Sequence, residues 1–136
     1  MRQYKSTGIL IFDPTTRQTK HYRDWWVILS CDDEIAAYYR YWIQRELDIT
    51  LQRNLWGSHI SIIRGEEPKK NTECWKKDHK TKVSFSYTPE ALQHNDTHWW
   101  LKIFDIESLS TIREFYGLSE RPAISFHLTI GRTMPL

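Results

Sequence analysis

His59-Ile-Ser-Ile-Ile-Arg64 and His127-Leu-Thr-Ile-Gly-Arg132 are two copies of one hexapeptide pattern. In each, a histidine is followed two residues later by a hydroxyl, Ser61 or Thr129, and five residues later by an arginine, Arg64 or Arg132. Both stretches read as apolar strands. Strand side chains alternate between faces, so His59 shares a face with Ser61 and His127 with Thr129. The arginines have the opposite parity and reach the histidine face only if the strand ends twist, which Gly65 and Gly131 make possible. A single histidine in an apolar strand is more often a hydrogen-bonded core residue than a functional one. Two in matched contexts ask for a common explanation.

Working outward, other landmarks recur at nearly constant spacing. Pro14 matches Pro89 (89 − 14 = 75), Trp25-Trp26 match Trp99-Trp100 (99 − 25 = 74), and His59 matches His127 (127 − 59 = 68). The elements around them run strand, strand, helix, histidine strand in each half. The first half has strands from Thr7 to Pro14 and from Trp25 to Cys31, then a helix capped by Asp32 or Asp33 and running to about Leu47. An aspartate oxygen accepts from the unpaired first-turn N–H groups, and its charge suits the helix N-terminus. Ile35, Tyr39, Trp42 and Ile43 fall at helical spacing and predict one apolar face. The second half has strands in "KVSFSYTP" and "HWWLKIF", with "EALQHNDT" as a turn or loop between them. A shorter helix starts at Asp105 or Ser108 and stops at Gly117, and "RPAISFHLTIGR" forms the last strand. The expected architecture is α+β: one domain over 1–136, with duplicated β-β-α-β halves (about 1–65 and 82–136) whose antiparallel sheets surround a central cleft. Such a duplication sets the two histidine strands side by side.

The bulk properties bound the function. With 136 residues the chain suits one domain with a proper core. A net charge of +2 does not demand nucleic acid but tolerates a locally held anion. The two cysteines, Cys31 and Cys74, form neither a CxxC pair nor a disulfide framework, and the N-terminus lacks a signal-peptide layout, so a cytoplasmic location is expected. No apolar run approaches the roughly 18 residues of a membrane span. His21, His79, His94 and His98 sit in polar contexts without metal-ligand spacing, so no metal or other cofactor is expected.

Aromatics are abundant, with seven tryptophans and seven tyrosines, and some rings are candidates to face a ligand. Within each Trp-Trp pair one ring is expected in the core. Trp75 lies in a basic loop, residues 66–81, beside Lys69, Lys70, Lys76, Lys77 and Lys80, where an indole could stack on a base while lysines meet phosphates. Trp56, three residues before His59, could line the cleft or wedge beneath the sheet.

Two imidazoles facing one phosphate can divide the work of breaking a P–O bond. A neutral ring takes a proton from the attacking hydroxyl or water, and a protonated ring gives one to the leaving oxygen; an ordinary pKa of about 6.5 makes both forms accessible near neutrality. Ser61 and Thr129 suit the non-bridging oxygens, and the arginines suit the charge that develops. The near symmetry leaves open which histidine is the base.

The paired H-x-[S/T] motifs in matched halves resemble the 2H phosphoesterase superfamily, over essentially the whole chain. That resemblance implies a bilobal fold and a metal-independent phosphodiesterase acting on nucleotide substrates, with His59, Ser61, His127 and Thr129 as the catalytic four. The wording "GSHISIIRGEEP" with "FHLTIGR" is also similar to small phage-encoded members that cut cyclic oligonucleotide signals of bacterial anti-phage defence. This implies cleavage of 3′–5′ linkages in a host cytoplasm, with no obligatory protein partner and the oligomeric state open. Relatives can use an additional tyrosine or carboxylate near the phosphate; Tyr4 is the candidate. The alternatives are an RNA 2′,3′-cyclic phosphodiesterase and a non-catalytic nucleotide- or RNA-binding module.

Overall fold

A computed structural model describes residues 2–14, 24–54, 57–95 and 97–133. The chain is α+β, with strands β1 (Tyr4–Phe12) and β2 (Trp26–Cys31), helix α1 (Asp33–Leu47), and strands β3 (Leu51–Gln52) and β4 (His59–Arg64). The order then repeats as β5 (Lys82–His94), β6 (His98–Ile103), α2 (Glu107–Phe115) and β7 (His127–Thr133). The strand order is β3-β7-β4-β2-β1-β5-β6, and β6 also pairs with β7. Every pairing is antiparallel. The sheet therefore curls into a partly closed barrel, completed by a single residue pair between β4 and β7, Ile60 with Leu128. Its interior is filled by alternate residues of each strand, including Leu10, Phe12, Leu29, Ile60, Ile62, Phe85, Leu101, Leu128 and Ile130.

The halves interlock. Helix α1 packs on β7, the histidine strand of the second half, and α2 packs on β4, the histidine strand of the first. Asp32 caps α1 by accepting from the Glu34 amide, and Asp48 closes it in the left-handed conformation. The buried face of α1 is narrower than its spacing suggests: Ala36 and Ile43 are buried, whereas Trp42 is exposed. Gly117 ends the α2 region at φ +77°, where an added Cβ would also press on Lys69 and Lys70.

Three segments differ from expectation. "EALQHNDT" is mostly strand, because β5 continues through Pro89 to His94; a register shift between Tyr87 and Ala91 accommodates a residue that cannot donate to the ladder. Residues 121–126, expected as strand, precede β7 without joining it, and Ile124 is 67% exposed. β3 is an added short strand pairing with β7.

Loop 66–81 is laid against the barrel. The Lys80 amide donates to the Leu10 carbonyl (2.7 Å), the Leu10 amide to the Thr81 carbonyl (2.8 Å), and the Lys69 amide to the Tyr116 carbonyl (2.9 Å). His79, expected to be solvated, instead accepts from the Phe12 amide through Nδ1 at 3.1 Å.

Candidate active site

The Ile60–Leu128 pair relates equivalent positions of the two hexapeptides, since 128 − 60 = 127 − 59. It therefore marks a pseudo-twofold axis between β4 and β7. Continuing its antiparallel register sets His59 across from Thr129 and Ser61 across from His127. All four side chains line one pocket of about 140 Å³, together with Trp26, Asn54 and Arg64.

Both imidazoles are anchored in the same way. His59 Nδ1 donates to the Gly57 carbonyl (2.9 Å), and His127 Nδ1 donates to the Ser125 carbonyl (2.8 Å), each two residues upstream. A carbonyl can only accept, so both neutral rings carry their proton on Nδ1 and present Nε2 as the basic nitrogen. Each ring also meets an indole edge-on: Trp26 lies 6.4 Å from His59, and Trp100 lies 5.9 Å from His127. The surroundings then diverge. His59 is buried and His127 half-buried. Burial holds the His59 pKa below its ordinary value, helped by the nearby charges of His127 and Arg64 and opposed by the bond to Gly57.

A β-bulge brings Arg64 into the pocket. Val27 pairs with Ile63 and Ile28 with Ser61, so Ile62 is an extra residue in β4. Ile62 and Ile63 are consecutively buried, and the alternation resets so that Arg64 returns to the histidine face. The same shift recurs in β7, where Trp99 pairs with Gly131 and Trp100 with Thr129, making Ile130 the extra residue. In β4 the bulge therefore does the work that a strand-end glycine was expected to do, whereas the bulge in β7 does not bring Arg132 into the pocket lining. Gly131 has another reason: a Cβ there would lie 2.6 Å from the Gln52 carbonyl oxygen in β3. Arg132 is exposed, pairs in the ladders with Gln52 and His98, and is not among the pocket-lining residues.

The remaining candidates separate from the histidines. Tyr4 lines a different groove of about 460 Å³ with Ile35, Tyr38, Tyr39, Trp42 and Tyr87. Trp75 does not stand free in its loop. Its Nε1 donates to Asp13 Oδ2 (2.8 Å), and its ring packs edge-on against Phe12 and Trp25, each at 5.0 Å. It pins the basic loop to the barrel, a role that local lysine content does not reveal. Trp56 lies outside the described residues. Asn54 and Trp26 were not singled out as pocket residues. The tandem tryptophans carried a signal for Trp26, whereas nothing in the sequence around Asn54 points to the pocket. Burial pushes the Cys31 thiol up to about 12, so this neighbour of the histidine strand is no ready nucleophile. Among the described residues, no group of three or more His, Cys, Asp or Glu is arranged to hold a metal ion.

Fold and site define an α+β protein whose partly closed antiparallel barrel presents two equivalently anchored histidines, two hydroxyls and one arginine in a single polar pocket. No family model matches the chain, and no curated protein or solved structure matches it. No helix among the described residues is long and apolar enough to cross a membrane.

Proposed function

We propose that this protein is a metal-independent phosphodiesterase of 2H type that cleaves nucleotide 3′–5′ phosphodiester bonds by proton transfer between His59 and His127. The observation that carries the reading is the matched pair of imidazoles, each fixed through Nδ1 and presenting Nε2 in the same pocket. His59, held toward its neutral form by burial, is the base. Its Nε2 removes the proton of the attacking oxygen, either a ribose 2′-hydroxyl or a water. His127, the less buried of the two, acts as the acid and delivers a proton from Nε2 to the leaving oxygen. Ser61 and Thr129 donate to the non-bridging oxygens, and Arg64 offsets the charge that builds in the transition state. These groups supply both proton transfers and the charge stabilisation from the chain's own side chains.

The pocket volume favours a phosphate over a whole nucleotide. Sites that enclose drug-sized ligands run to about 300–1,000 Å³, whereas this one is about 140 Å³. A phosphate therefore enters while sugars and bases remain outside, as suits a linkage within a larger ring. The preferred substrate is a cyclic oligonucleotide, which would make the protein an enzyme that removes cyclic nucleotide immune signals in the host cytoplasm. Free thiols at Cys31 and Cys74 suit that reducing setting.

The test is cleavage of cyclic dinucleotides, cyclic trinucleotides and 2′,3′-cyclic mononucleotides in EDTA, comparing wild type with His59→Ala and His127→Ala. Cleavage of a cyclic oligonucleotide that both variants lose supports the proposal. Opening of 2′,3′-cyclic ends alone keeps the mechanism and moves the role to RNA processing. Binding without cleavage would replace the enzyme by a binding module.

A further inference from the structure

The bulges that shape the two histidine strands each leave one residue outside the β ladder, Ile62 in β4 and Ile130 in β7. A buried carbonyl left outside the ladder needs another donor. In both strands an arginine supplies it from the helix of the opposite half. Arg113 Nη1 of α2 donates to the Ile62 carbonyl at 2.9 Å, and Arg40 Nη1 of α1 donates to the Ile130 carbonyl at 2.9 Å. The two devices occupy corresponding places, with spacings of 113 − 40 = 73 and 130 − 62 = 68.

Each guanidinium is itself held by a carboxylate. Arg113 forms a two-pronged pair with Glu66, 2.7 Å on both arms, and its Nε donates to the Ser119 carbonyl. Arg40 Nη2 pairs with Asp33 at 2.8 Å, and the other Asp33 oxygen accepts from Ser58 Oγ at 2.8 Å, immediately before His59. A continuous chain, Ser58 to Asp33 to Arg40 to the Ile130 carbonyl, therefore joins the base of one histidine strand to the bulge of the other. Arg113 is 1% exposed. A guanidinium is costly to bury and persists only where its donors are used, and here one of them goes to the main chain of β4.

We propose that Arg40 and Arg113 are positioning residues: each, carried by one half, fixes the bulged histidine strand of the other half and so sets the mutual placement of His59 and His127. β4 and β7 share only the Ile60–Leu128 pair in their ladder, so little else in the ladder holds the two imidazoles in register. For turnover this inference rests on the phosphodiesterase reading; for imidazole geometry it stands without it.

The experiment is ¹⁵N NMR of the histidine side chains in the full-length protein, for wild type, Arg40→Met, Arg40→Lys, Arg113→Met and Glu66→Gln, with thermal melts as a check on folding. Arg113→Met is expected to lower the Nδ1–H tautomer population of His59 more than that of His127. Arg40→Met is expected to disturb His127, and His59 through Ser58. Arg40→Lys keeps one donor and should restore most of the wild-type pattern. Where turnover is measurable, kcat falls by about 100-fold with KM little changed, as expected when reacting groups are displaced by about 1 Å. Folded variants whose two imidazoles keep wild-type tautomers and titration midpoints overturn the proposal. If Arg113→Met does not fold, the Arg40 variants and Glu66→Gln decide it. If wild type cleaves nothing yet the arginine variants still shift the imidazoles, the phosphodiesterase reading fails and the positioning role stands.

Discussion

The two histidine strands share a hexapeptide pattern, a bulge, an Nδ1 anchor and an edge-on indole, yet they end in different surroundings. His59 is buried and has Arg64 beside it in the pocket; His127 is half-buried, and its own arginine, Arg132, falls outside the pocket lining. Repetition fixes how the two imidazoles are anchored, and local burial makes their environments differ. Under the proposed mechanism, that difference in burial is what separates base from acid.

The largest expected effect tests that division directly. His59→Ala and His127→Ala should each lower turnover of an unactivated phosphodiester by about 10²–10⁴-fold. With a p-nitrophenyl phosphodiester, whose leaving group needs no proton, His127→Ala should recover most of its activity and His59→Ala should not. The reverse pattern would exchange the two roles.

Next in size are the hydroxyls. Ser61→Ala and Thr129→Ala should each reduce kcat by about 10–100-fold, somewhat less than the loss of a full oxyanion donor. Steady-state kinetics checks this, and a loss confined to KM would assign them to ground-state binding instead. A sharper contrast comes from the arginines. Arg64→Ala should lower kcat/KM by about tenfold, the scale of a charge-assisted contact, while Arg132→Ala leaves it within about twofold. Equal losses at both would place Arg132 at the phosphate as well.

How much of this was legible in the sequence varied with the range of the interaction. The cap at Asp32, the stop at Gly117 and the alternation of His59 with Ser61 are local, and each is visible in a few consecutive residues. The bulge in β4 left a trace in the adjacent Ile62 and Ile63, but the one in β7 was masked by Gly131, which carries no side chain to mark its face. The anchoring of Trp75 is not visible locally because its partner, Asp13, lies far away in the sequence. Arg40 and Arg113 look like ordinary helical cations until folding sets them against carbonyls of the other half. Pro89 suggested a break where a register shift lets the strand continue.

The pH responses are smaller and follow from the His59 environment. Turnover should be bell-shaped, with its acidic limb below the ordinary histidine value of 6.5, because the base has a lowered pKa. Replacing Trp26 by Ala should admit water and move that limb upward. The same shift acts on stability. The folded state disfavours protonated His59, so its contribution is fully present above 6.5 and is lost as pH falls from there toward the lower folded pKa. Thermal melts between pH 5 and 7.5 should show a shallower acid decline in His59→Gln than in wild type; identical slopes would assign the decline to other groups.

The pseudo-twofold through Ile60 and Leu128 has one more consequence. Two identical half-chains associating about that axis would be obliged by symmetry to give both histidines the same environment, and neither could specialise as donor or acceptor. A single covalent chain escapes that obligation. Leu51 and Gln52 can add a strand beside β7, and Trp26 and Trp100 can meet their histidines from different registers, all without disturbing the shared frame. Linking the halves end to end thus permits the symmetry of the scaffold to be broken around the two histidines, the one place where the proposed chemistry needs them to differ.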